Sequence, residues 1–261
     1  MASNTLLLLM GVPENYRLGG PALQRLHRAH PRVQVRIVHD QAEFARQVAQ
    51  ADAVIGTRAY LSLTAEVAKP GARLRWVQTT TVGVDHVVPP SLLAAEHLTL
   101  TRIKGPPGPL MAEHAVLLML ALSRNLPAYL DNQRRHIWRR EGQDWLPLHG
   151  RTIAILGAGS GAGNLARVCK TGFGMTALGM TRSPREIAHV DRVFSRSELL
   201  GVLPEADFVV LCLPNTRQTR HIIDAAALDA MMPTACLINV SRGALIDEDA
   251  LIAAEGARLP L

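Results

Sequence analysis

The chain alternates short apolar runs with amphipathic stretches from one end to the other. Strand candidates in the first part are "TLLLLM" (5–10), "VQVRIV" (33–38), "DAVIG" (52–56), "RWVQTT" (75–80) and "LTLTR" (98–102). Between them "PALQRLHRAH" and "QAEFARQVAQ" place apolar residues at helical spacing. Strand, helix and strand in succession predict parallel βαβ units, because parallel neighbours need a long crossover.

The segment "KGPPGP" (104–109) breaks the pattern, since its Pro-Pro and Pro-Gly steps continue neither element. A helical run follows, "LMAEHAVLLMLALSRNLPAYL". It is apolar nearly all round, which predicts burial between layers. A second helix, "YLDNQRRHIWRR", leads to the polar loop "EGQDWLPLHG". A second βαβ series then begins, with strands expected at "TIAILG" (152–157), "TALGM" (176–180), "DRVF" (191–194), "DFVVLCL" (207–213) and "ACLINV" (235–240). The expected fold class is α/β: two Rossmann- or flavodoxin-like domains with parallel sheets, 1–103 and 104–261.

Composition sharpens this picture. Aromatic residues are only 4% of the chain, so Leu, Val, Ile and Ala must build the core, which favours helices on parallel strands. The net charge is +6, but the basic residues are dispersed. The densest group, Arg134, Arg135, Arg139 and Arg140, has one interleaved aromatic, Trp138. That is a solvated helix face rather than a nucleic-acid stripe, and no nucleic-acid partner is expected. The excess positive charge does suit anionic substrates and cofactors. Cys169, Cys212 and Cys236 are far apart and show neither a disulfide framework nor zinc spacing, so no metal is expected and a reducing, cytoplasmic location fits. No stretch approaches the roughly 20 apolar residues needed to span a bilayer, so no membrane partner is expected.

The strongest chemical motif is "IAILGAGSGAGNLARVCK". A strand runs into Gly157-Ala158-Gly159-Ser160-Gly161-Ala162 and a helix starts at once. Gly157 permits a tight turn, and Gly159 lets the backbone approach a pyrophosphate. A small residue at 162 allows close helix–strand packing. The helix N-terminus, with Ser160 and Gly161 beside it, offers N–H groups to phosphates. About 20 residues further on, an NAD site wants a carboxylate for the ribose hydroxyls. Here Thr181, Arg182 and Ser183 stand instead. A guanidinium and a hydroxyl suit a 2′-phosphate, which favours NADP over NAD as cofactor.

With this loop, "TTTVGVDHV", "MAEHAVLLMLALSR" and "LINVSRGALIDEDAL" in order, the chain resembles the D-isomer-specific 2-hydroxyacid dehydrogenases, including glyoxylate/hydroxypyruvate reductases and phosphoglycerate dehydrogenases. The resemblance implies that backbone N–H groups at Val82 and Gly83 hold a substrate carboxylate. It implies that Cys212, Leu213 and Pro214 flank the nicotinamide and ribose, with Thr219 just beyond and Val240 also beside the cofactor. Arg242 then binds the substrate's carboxylate and carbonyl oxygen as the catalytic arginine. An arginine suits that task, because its fork grips a carboxylate bidentately and stays charged. The implied activity is NAD(P)H-dependent interconversion of a small 2-keto acid and a D-2-hydroxy acid. The implied assembly is a homodimer to which the helix near 110–128 contributes.

The family's catalytic Glu and His fall beyond Leu261, and the resemblance weakens after Ala254. The resemblance therefore implies an incomplete second domain with exposed apolar faces, and an alternative: a catalytically dead dinucleotide-binding protein. His114 is expected to be a packed boundary histidine and His86 to bond locally to Asp85. Glu113 and Asp247 are expected as interdomain and helix-capping groups.

Overall fold

The structure is a computed structural model that describes residues 5–14, 20–104, 108–139, 146–159, 162–183 and 185–258. The chain divides into two compact units, Met1–Lys104 and Gly105–Leu261.

The first unit runs β1 (Leu6–Gly11), α1 (Gly20–Ala29), β2 (Val33–Val38), α2 (Gln41–Gln47), β3 (Ala53–Gly56), α3 (Arg58–Val67), β4 (Trp76–Thr79), α4 (Pro90–Leu93) and β5 (Thr99–Thr101). Its five strands pair in the order β2-β1-β3-β4-β5, all parallel. Leu9, Val54 and Val77 face Phe44 of α2 and Tyr60 and Leu61 of α3 in one apolar core. The Phe44 and Tyr60 rings meet edge to face, with centroids 5.0 Å apart. Asp40 caps α2, its carboxylate accepting from the Glu43 N–H at 2.7 Å.

The second unit runs α5 (Gly108–Ser123), α6 (Leu126–Arg134), β6 (Thr152–Leu156), α7 (Ala162–Phe173), β7 (Thr176–Met180), β8 (Arg192–Phe194), α8 (Leu199–Val202), β9 (Phe208–Leu211), α9 (Ala225–Ala230), β10 (Cys236–Asn239) and α10 (Glu248–Arg258). The sheet order is β10-β9-β6-β7-β8, all parallel. The chain thus starts at a central strand, winds one way through β7 and β8, and returns on the other side through β9 and β10. This is the doubly wound dinucleotide-binding order, with its switch point between β6 and β9. Side-chain alternation explains the two cores. Ala154 and Leu156 join one apolar cluster, with Leu199 of α8 and Leu228 of α9, while Ile153 and Ile155 join the other, with Met119 of α5 and Leu165 of α7. Both faces are covered, as a parallel sheet requires.

One device recurs at the base of these sheets. An aspartate immediately before a strand exchanges two bonds with one residue of the neighbouring strand. Asp52 donates its N–H to the Leu7 carbonyl at 2.9 Å and accepts the Leu7 N–H at 2.7 Å. Asp207 does the same with Thr152 at 3.0 and 2.8 Å, and Asp191 with Ala177 at 2.8 and 2.9 Å. A cation completes each pair: Arg73 on Asp52, Arg151 on Asp207 and Lys170 on Asp191.

Three expectations need correction. The helical run expected over 110–130 is two helices, because Asn125 turns left-handed at φ 50° and Pro127 starts α6. Nor is that run buried all round. Ala112, Ala115, Met119 and Ser123 form its packed stripe, while Leu110, Leu117, Leu120 and Leu122 lie exposed. His114 is exposed, not packed, because it falls one residue off the stripe.

Candidate active site

The carboxyl end of β6 leads into the glycine loop. Gly157 takes φ +103°, and a Cβ built there would lie 2.7 Å from the Cys212 carbonyl oxygen. Two independent constraints, the left-handed backbone and the close approach of the chain beyond β9, therefore demand glycine. The Gly157 and Ala158 N–H groups both donate to the Met180 carbonyl of β7, at 3.1 and 2.8 Å. The loop is thus pinned between the ends of its two neighbours. A Cβ on Gly159 would meet nothing within 4 Å, so this side of the loop is open. Ser160 and Gly161 lie outside the described residues.

The loop fits a dinucleotide on two observations. Its open face precedes the first turn of the 12-residue helix α7, whose N-terminus favours phosphate. The buried Oγ1 of Thr181, at the end of β7, lacks a hydrogen-bond partner among the described residues. Arg182 and Ser183 follow it and are exposed. Beside the loop lies an open cavity of about 360 Å³ lined by Gly159, Gly163, Asn164, Arg167, Arg185 and His189, among others. Sequence reasoning passed over Arg167 and Arg185. No spacing in the sequence joins them, since Arg167 lies on α7 and Arg185 in the loop after β7. Glu186 also lines the cavity, leaving the arginines in excess.

The end of β9 carries Cys212 and Leu213, both half-buried, and the exposed Pro214. The Cys212 N–H donates to the Leu156 carbonyl at 2.8 Å, which ties this segment to β6. Burial pushes the Cys212 thiol up to about 11 and that of Cys169 to about 12, so neither supplies a thiolate nucleophile near neutrality. All three cysteines are free. Thr219 closes the following turn, its hydroxyl donating to the Pro214 carbonyl at 2.6 Å.

Beyond β10 come Val240 and Arg242, both half-buried. Arg242 has extended backbone, φ −141° and ψ 138°, and its guanidinium donates to the Ser241 carbonyl at 2.9 Å. Asp247 begins α10, its carboxylate accepting from the Ala250 N–H at 3.2 Å, as expected of a cap.

In the first unit, Val82 and Gly83 follow β4. The carbonyls of Thr81, Val82 and Gly83 accept bonds from Thr79 Oγ1 (2.9 Å), Arg102 (3.0 Å) and Thr81 Oγ1 (2.8 Å). Those bonds fix the peptide planes of the loop. His86 pairs with Asp85 at 3.3 Å, the local contact expected. The structure thus brings Gly157 together with Cys212 and Leu213, and sets Arg182 and Arg242 after other strands of the same sheet.

Residues 116–257 match the family described as D-isomer specific 2-hydroxyacid dehydrogenase, NAD binding domain. A glyoxylate reductase from Thermococcus onnurineus is 32% identical over 95% of this chain and 74% of its own length. This chain belongs to the D-isomer-specific 2-hydroxyacid dehydrogenase family. A D-3-phosphoglycerate dehydrogenase from Synechocystis is 30% identical over 85% of this chain, which spans 40% of that relative. Among solved structures, a D-isomer specific 2-hydroxyacid dehydrogenase family protein from Aeromonas salmonicida superposes with a TM-score of 0.79 at 32% identity, covering 97% of this chain and 78% of its own. The glycine loop, the β9 end and Arg242 all lie inside the matched 116–257 segment, which is the family's nicotinamide dinucleotide-binding domain. Among the described residues, no helix is long and apolar enough to cross a membrane.

Proposed function

We propose that this chain binds NADPH, in preference to NADH, and reduces a small 2-keto acid such as glyoxylate or hydroxypyruvate to the D-2-hydroxy acid. The observation that carries this reading is Gly157, wedged at φ +103° against Cys212 at the switch point of the sheet, with Arg242 after another strand of that sheet. A bound nicotinamide would supply the hydride, and a water molecule the proton that completes the hydroxyl. Gly157 and Gly159 admit the pyrophosphate, and Arg182 and Ser183, with Arg167 and Arg185, attract the 2′-phosphate. Cys212, Leu213, Pro214 and Val240 line the nicotinamide end, and Thr219 shapes the turn beside it.

Arg242 has two tasks in this reading. Its fork pairs with the substrate carboxylate, and it stabilises the negative charge that grows on the carbonyl oxygen. In the first unit, the loop at Val82 and Gly83 offers backbone N–H groups suited to a carboxylate. The exposed leucines of α5 make that face the dimer surface of a homodimer, and three free thiols fit a reducing cytoplasm.

The test is a fluorescence titration with NADPH and NADH, followed by NADPH oxidation with glyoxylate and with hydroxypyruvate. Binding and turnover support the reading, and failure to bind either dinucleotide overturns it. Binding without oxidation selects the alternative of a dinucleotide-binding protein without turnover.

A further inference from the structure

The turn after β10 is closed by its own side chains. The Asn239 carboxamide oxygen accepts from the Ser241 N–H at 2.9 Å, and the Asn239 nitrogen donates to the Arg242 carbonyl at 2.7 Å. The Arg242 carbonyl also accepts from the Leu245 N–H at 3.2 Å, so both of its lone pairs are engaged. Ser241 ties the turn to the neighbouring strand, its hydroxyl donating to the Leu211 carbonyl at 2.9 Å.

These bonds sit where they matter. The strand β10 ends at Asn239, so the sheet ladder no longer orients Arg242. Rotating the peptide plane that follows Arg242 would break two bonds at once. A bidentate grip on a carboxylate tolerates errors of only about 0.5 Å and 10–20°, so the backbone that carries the guanidinium must be held. Asparagine alone among short side chains accepts through one atom and donates through another. An ionised aspartate only accepts, and a hydroxyl is too short to bridge both groups.

We propose that Asn239 is a positioning residue for Arg242: by bridging the Ser241 N–H and the Arg242 carbonyl it sets the direction from which the guanidinium meets the keto acid. This rests on the reading in which Arg242 takes the substrate carboxylate.

The experiment uses the full chain and two probes: NADPH, and oxamate as an unreactive 2-keto-acid analogue. Asn239→Ala, Asn239→Asp, Arg242→Gln and the two double variants are compared. Each Asn239 variant is expected to weaken oxamate binding about tenfold on the NADPH-saturated protein, the weight of one hydrogen bond. NADPH affinity stays within about twofold. On the Arg242→Gln background either Asn239 change has no further effect, because its influence runs through the guanidinium. Asn239→Asp binding oxamate as the parent does would overturn the proposal. So would an equal loss on both backgrounds, the mark of a merely structural role. If Asn239→Ala fails to fold, Asn239→Asp, which keeps the shape, carries the same comparison. If Arg242→Gln itself leaves oxamate binding unchanged, the reading of Arg242 has failed and the proposal falls with it.

Discussion

The carbonyl oxygen of Cys212 stands 2.7 Å from the point where a Cβ on Gly157 would sit. The contact joins the ends of β6 and β9 and leaves room for backbone alone. Gly157→Ala must therefore strain its own φ and displace the neighbouring chain. It is expected to lower stability by at least about 2 kcal/mol, read as a fall in the midpoint of denaturant unfolding. Gly159→Ala, at a position with open space, should leave that midpoint nearly unchanged and weaken NADPH in a fluorescence titration. Equal destabilisation by both would contradict the geometry.

Arg242→Gln keeps hydrogen-bonding capacity but loses charge and fork. The expected result is a fall in kcat/KM for glyoxylate on the order of 10²–10³-fold, the range for removing one donor to a developing oxyanion. Arg242→Lys should recover only part of it, since an ammonium cannot grip bidentately. Steady-state kinetics decide this, with NADPH affinity as the control that stays constant.

Arg182→Ala and Arg185→Ala test the nucleotide preference separately. Each charged bond to a 2′-phosphate is worth about 1.5–3 kcal/mol, so NADPH affinity should fall about 10–100-fold while NADH affinity holds. A parallel loss for both nucleotides would place these arginines away from the phosphate.

Leu117→Glu and Leu120→Glu place charge on the exposed face of α5. Sedimentation velocity should show a dimer for the parent and a monomer for the pair of changes, with thermal unfolding still cooperative. A parent that sediments as a monomer would remove the dimer from the proposed function.

Acid should weaken the second sheet through Asp191. Lys170 and the Ala177 N–H hold its carboxyl below the usual carboxylate range. A lowered folded-state pKa gives stability that is present above the unfolded value, about 3.9, and lost as pH falls through the folded value. Asp191→Asn should therefore lower the Tm at pH 7, and the difference should shrink as the pH falls below the unfolded value of about 3.9. A difference that persists in acid would assign the loss to packing.

Every strand of both sheets was legible because each is a short apolar run between breakers, and the glycine loop was legible because its neighbours confirm it. The break at Asn125 had a local signal, since asparagine tolerates a left-handed φ and Pro127 follows it, but the apolar run around it outweighs that signal. The leucines of α5 were misread for a different reason. Composition records that a position is apolar, and a face against solvent in one chain reads the same as a face in a core. Arg167 and Arg185 escaped notice because only the fold brings α7 beside the loop after β7. The Asn239 bridge escaped because asparagine at a strand end is ordinary turn punctuation.

The aspartates that precede β3, β8 and β9 have a consequence for assembly of the sheets. Each carboxylate finds its N–H only when the adjacent strand is aligned to the residue. Sliding that strand by one position would turn its side chains to the opposite face and strip a negative charge of its backbone donor in the same movement. Misaligned sheets are thereby penalised twice. The chain carries an electrostatic ruler at the foot of its strands, so that the glycine and arginine at the far end arrive at matching heights.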